Sequence, residues 1–92
     1  MERQNDLWFI LQHYGIKSQK NIAIEEMSEL TKELCKSYRG QSDIDHLCEE
    51  IADVKIMLAQ LELAVGKDGQ QKIEDFYNAK IDRQMDRILK GE

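Results

Sequence analysis

Ninety-two residues make one small domain, 1–92, with no room for a second core. The formal net charge of −5 argues against nucleic acid or an anionic membrane surface as the main partner. Cys35 and Cys48 lack zinc-motif spacing with each other or with His13 and His46, so they read as small core residues in a reducing, cytoplasmic setting.

The run Leu7-Trp8-Phe9-Ile10-Leu11 is too short to span a membrane, and it follows charged and amide residues, unlike a secretion signal. It predicts an amphipathic first helix over 5–14, with Leu7, Trp8, Leu11 and Tyr14 on one side. Proline is absent and the five glycines fall at breaks in the apolar pattern, which sets further helices over 18–38, 43–65 and 70–89. Ser18, and Ser42 or Asp43, are the expected N-caps of the second and third. The architecture expected is all-α, a four-helix bundle with short loops.

On the second helix Ala23, Met27, Leu30, Leu34 and Tyr38 form the expected core stripe, with Glu26 about 40° from Leu30 and Glu29 about 60° further out. Glu33 shares their sector one turn on, where it could support the carboxylate cluster from behind, although pairing with Lys36 or Arg39 is the plainer expectation. On the third helix Leu47, Ile51, Val54, Leu58, Leu61 and Val65 form one stripe, and Glu50 falls inside that apolar sector with Asp53 just past Met57. A second apolar stripe, Ala52, Ile56, Ala59 and Leu63, requires a second cover, which predicts a homo-oligomer. The fourth helix is expected to bury Ile73, Tyr77, Ile81 and Ile88, with Lys80, Arg83 and Arg87 along one flank.

Glu26 with Glu29, and Glu50 with Asp53, are i,i+3 pairs whose carboxylates project from neighbouring positions on each helix. Four carboxylates between two packed helices repel one another and resist leaving water, and a hard divalent cation such as Mg2+ is the usual reason to tolerate that. His13 and His46 read as surface or capping residues, since Mg2+ prefers oxygen ligands. Cations beside such a cluster suit a bridging phosphate chain, against the plainer reading of snorkelling surface charge.

The segment Glu25-Glu26-Met27-Ser28-Glu29, followed by Glu49-Glu50-Ile51-Ala52-Asp53, resembles the E-x-x-E and E-x-x-D motifs of the MazG-like all-α nucleoside triphosphate pyrophosphohydrolases. Asn78-Ala79-Lys80-Ile81-Asp82-Arg83 is similar to the N-x-K-x-x-R segment of many members, so the likeness spans roughly residues 18–88 and is closest to compact phage and prophage versions. The resemblance implies cleavage of a nucleoside triphosphate between the α and β phosphates, with Mg2+ as cofactor and Mn2+ as a substitute. It implies Glu26, Glu29, Glu50 and Asp53 as metal ligands and catalytic carboxylates, with Glu29 the freer to orient water. Lys80 and Arg83 would meet the phosphates, Asn78 the sugar or a phosphate, and Trp8 the base, although an ordinary core or interface role for Trp8 is the plainer reading. A homodimer or homotetramer is expected. Ala52 and Gln84 depart from the glycine and second arginine common in the family, and Gln84 leaves one cation fewer. Two alternatives stand beside this reading: a phosphoribosyl-ATP pyrophosphohydrolase, disfavoured because Val54-Lys55-Ile56-Met57 replaces that group's aromatic-His pair, and a non-catalytic helical regulator that binds another protein.

Overall fold

The computed structural model describes residues 3–91. Four helices follow one another: α1 (Gln4–Tyr14), α2 (Ile16–Tyr38), α3 (Ile44–Ala64) and α4 (Gly66–Leu89), with no strand among the described residues. The all-α, four-helix expectation holds. Asp43 caps α3 as expected, its side chain accepting from the Asp45 backbone N–H at 2.9 Å. Ser18 does not cap α2, which begins two residues earlier from Gly15. Gly15 has φ 89° and ψ 152°, a conformation that only glycine adopts easily, and it lets α2 start directly after α1.

The α3–α4 connection is tighter than expected. Gly66, at φ 75°, makes the turn, and Gly69 lies within α4 instead of in a loop. A methyl group on Gly69 would sit 2.5 Å from Cβ and Cγ2 of Val65, atoms too close to the backbone to swing aside. Alanine in a helix ordinarily gains about 1 kcal/mol over glycine. Here Gly69→Ala is expected to lower the melting temperature instead, with an overpacking cost of about 1–3 kcal/mol. A thermal melt beside wild type checks this, and a higher melting temperature would refute it.

The core lies in the antiparallel α2–α3 seam, and α1 packs against both helices. The expected stripe of α2 is only partly inside: Ala23 is buried and Leu30 half-buried, but Met27 and Leu34 are exposed and Tyr38 is 92% exposed. On α3, Val54 and Met57 are buried whereas Ile51, Leu58 and Val65 are exposed. Polar residues take the seam instead. Gln19, Glu26 and Glu33 step by seven along α2, and His46, Asp53 and Gln60 step by seven along α3. Seven residues are close to two helical turns, so each set holds one face, and antiparallel pairing sets Gln19 against Gln60, Glu26 against Asp53 and Glu33 against His46. The second stripe of α3 is half covered. Leu7 and Ile10 of α1 line a groove of about 450 Å3 with Ile56 and Ala59, while Ala52 stays exposed.

Beyond Gln70, every described residue of α4 is exposed, including the expected core residues Ile73, Tyr77, Ile81 and Ile88. Among the described helices α4 packs only on α3, held near its start by Gln70 Nε2, which donates to the Glu62 carbonyl at 3.0 Å. The consequences are global. The radius of gyration is 16.2 Å, against about 12 Å for a compact domain of this length. The accessible surface is 7473 Å2, against about 5,500 Å2 for a compact monomer of this mass. No helix among the described residues is long and apolar enough to cross a membrane.

Candidate metal centre

Carboxylate oxygens of Glu26, Glu50 and Asp53 lie within 4.8 Å of one another across the α2–α3 seam. Glu26 sits at a seam position one layer from Ala23 and Leu30, and Asp53 lies opposite it. Glu50 occupies a position that an apolar residue would otherwise take, only 8% exposed, and its Oε2 is buried with no hydrogen-bond partner. A buried carboxylate oxygen without a partner costs free energy, and a neighbouring pair of carboxylates adds to that cost. Each fully ionised pair at this spacing repels by an amount of order 3 kcal/mol at an effective dielectric near 20.

The electrostatics are visible in Glu26. Partial burial pushes its carboxyl above the usual value of 4.5, and the charges of Asp53 and Glu50, a hydrogen bond shared with Asp53 and the charge of Glu29 push it in the same direction. The folded protein therefore holds a proton on Glu26 at pH values where the unfolded chain has released it. Stability from this group is fully present below about pH 4.5 and is lost as pH rises through the raised value. In EDTA, wild type should lose stability relative to Glu26→Gln as pH rises above about 4.5. Parallel melting curves of the two proteins between pH 4 and 8 would contradict this.

Three oxygen donors on adjacent helices fit a hard cation. Oxygens on one octahedral Mg2+ stand about 3–4 Å apart, so small side-chain rotations would close the set around an ion. The unpartnered Glu50 Oε2 is the atom most in need of such a partner.

Of the residues expected at the site, Glu26, Glu50 and Asp53 come together and Glu29 does not. Glu29 is exposed, and its Oε1 accepts from Lys32 Nζ at 3.5 Å. Its wheel position, further out than Glu26, accounts for that. Lys80, Arg83 and Asn78 lie on the exposed part of α4, and neither cation forms an ion pair among the described residues. Trp8 lines a hollow of about 320 Å3 with Leu11, Ile16 and Ala64. That hollow lies beyond the Gln19–Gln60 pair, roughly 15 Å or three turns along the hairpin from the acidic cluster.

Two pairs were not singled out from sequence. Gln19 Nε2 donates to Gln60 Oε1 at 2.9 Å, and Gln60 is 1% exposed. Glu33, 3% exposed, accepts from Lys36 Nζ at 3.2 Å, as expected, but its Oε2 also lies 2.9 Å from His46 Nδ1. His46 Nε2 is in turn 3.3 Å from Glu50 Oε1. The seven-residue steps through Glu26 and Asp53 are the signal that finds all four residues. Compared with known proteins, the chain matches no family model, no curated protein and no solved structure.

Proposed function

We propose that the protein is a Mg2+-dependent nucleoside triphosphate pyrophosphohydrolase of MazG-like type, releasing a nucleoside monophosphate and pyrophosphate. The observation that carries this reading is the three-carboxylate cluster with its buried, unpartnered Glu50 oxygen. Its family assignment rests on the motif residues. Glu26, Glu50 and Asp53 would hold the ion, with Mn2+ able to replace Mg2+. Bound there, a divalent ion supplies Lewis acidity toward phosphate oxygens and the attacking water.

The chain's own groups do the rest. Water attacks the α phosphorus, the bond to the pyrophosphate oxygen breaks, and a carboxyl takes the water's proton. A carboxylate of the cluster that is not fully used by the ion is the acceptor this reading requires. Glu29, one turn along and open to solvent, can orient the water. Lys80 and Arg83, exposed on α4 and without an ion pair among the described residues, suit the charge that develops on the leaving pyrophosphate.

A homo-oligomer, dimer or tetramer, belongs to the same reading. The surface in excess of a compact monomer, roughly 2,000 Å2, is comparable with the share each subunit buries in an obligate dimer. Docking of α4 in such an assembly would also bring its cations to an acidic site.

The test is pyrophosphate release from a panel of ribo- and deoxyribonucleoside triphosphates, with Mg2+ and with EDTA. Release that requires the metal is expected. Silence across the panel would favour the second reading, a non-catalytic helical binding protein. The exposed apolar face of Met27, Leu34, Ile51 and Leu58 is the observation behind that alternative.

A further inference from the structure

Glu33 is a buried carboxylate that the proposed chemistry does not use. It lies one seam layer, or two helical turns, from Glu26, and His46 stands between it and Glu50. The imidazole is itself only partly exposed and touches one carboxylate with each ring nitrogen. Glu50 is thereby divided in function between its two oxygens. Oε1 faces the imidazole, while Oε2 is buried and has no partner.

We infer that Glu33 and His46 are a positioning pair that sets the orientation of Glu50 for cation binding. Glu33 fixes the ring, the ring holds Oε1, and Oε2 is left as the donor presented beside Glu26 and Asp53. The inference rests on the reading of the cluster as a divalent-cation site. A glutamate has three side-chain torsions, and ordering them on binding costs conformational entropy. A side chain ordered beforehand avoids most of that cost, and the loss of such supporting contacts lowers metal affinity by about 10–100-fold in metalloproteins generally.

The sign of the effect separates positioning from plain charge. Were His46 only a competing positive charge near the cluster, removing it would strengthen cation binding. Positioning predicts the reverse.

The experiment is titration of wild type and variants with Mg2+ and Mn2+ by calorimetry, with Mn2+ binding also read by electron paramagnetic resonance. His46→Ala is expected to bind about 10–100-fold more weakly than wild type. His46→Gln, whose amide carries two N–H donors, should recover most of the affinity. Glu33→Ala should weaken binding too, and the double variant should be no weaker than His46→Ala, because the two residues act in series. Unchanged or tighter binding by His46→Ala overturns the inference and leaves the metal site standing. Absence of binding by wild type sinks the metal-site reading and this inference together. If His46→Ala loses its helical circular dichroism in EDTA, Glu33→Ala decides, with wild-type affinity in that variant counting against the pair.

Discussion

Glu50→Gln is expected to abolish the Mg2+ response of the protein while raising the stability of the metal-free form. The substitution keeps the volume of the side chain and removes one of three clustered charges. Its amide can donate to the Glu26 and Asp53 carboxylates, so a buried atom without a partner becomes a satisfied one. A gain of about 1–2 kcal/mol in EDTA is expected, and at about 4–8 °C per kcal/mol for a chain of this size the shift is easily read. Wild type should melt higher in Mg2+ than in EDTA, because the ion binds the folded cluster and not the unfolded chain. The variant should melt alike in both. The proposed pyrophosphohydrolase activity should fall by roughly 10²–10³-fold, the scale for losing a single preorganised electrostatic partner. The combination is diagnostic: a residue of purely structural importance would lose stability along with activity. If the variant is destabilised in EDTA, or if wild type melts identically with Mg2+ and EDTA, Glu50 is not a cation ligand.

The parts of the molecule that were legible in the sequence are those governed by local rules. Glycine positions set the helix ends within a few residues, and the cap of α3 was narrowed to Ser42 or Asp43, of which the structure uses Asp43. Glu50 stood out as an acid inside an apolar sector, and the structure places it in the seam beside Glu26 and Asp53. The misreading of the interior came from treating the most apolar arc of each helix as the buried one. Burial in a helical hairpin is decided by which face meets the partner helix, and here that face carries Gln19, Glu26 and Glu33 against Gln60, Asp53 and His46. Such a seam is affordable because its members satisfy one another: the two glutamines by a hydrogen bond, and Glu33 by Lys36 and His46. In the middle layer Glu26 and Asp53 share a hydrogen bond, but the neighbouring Glu50 Oε2 is buried without a partner. That contrast within one seam sets the acidic cluster apart from the neighbouring polar pairs, and the seven-residue spacing that links all three layers could have been read beforehand. The path of α4 could not. Its apolar side predicts burial somewhere, but no local pattern says against which surface.

Folding of this protein is expected to depend on its concentration. Among the described residues only Leu11, Ala23, Val54 and Met57 are buried apolar side chains, and they share the interior with Gln19, Glu33, Glu50 and Gln60. Four buried apolar side chains make a small core for a chain of this length. The surface that would enlarge it is on display. Ile51, Leu58 and Val65 step by seven along α3, and Met27 and Leu34 along α2. On the helical wheel both sets fall to the side of the seam away from Ile56 and Ala59, where α1 packs. A stripe with this spacing accepts another helix by knobs-into-holes packing, and α4 carries a matching apolar side in Ile73, Tyr77, Ile81 and Ile88. Association of copies through these surfaces would make the folded state a function of total protein. The melting temperature should rise by several degrees for each tenfold increase in concentration, and sedimentation at micromolar concentration should give a dimer or tetramer. Leu58→Lys places a charge in the middle of the stripe and should shift the protein toward monomer with a large loss of stability. A monomer at micromolar concentration, with a melting temperature independent of dilution and unaffected by Leu58→Lys, would mean that the stripe is not covered by a second copy of the chain.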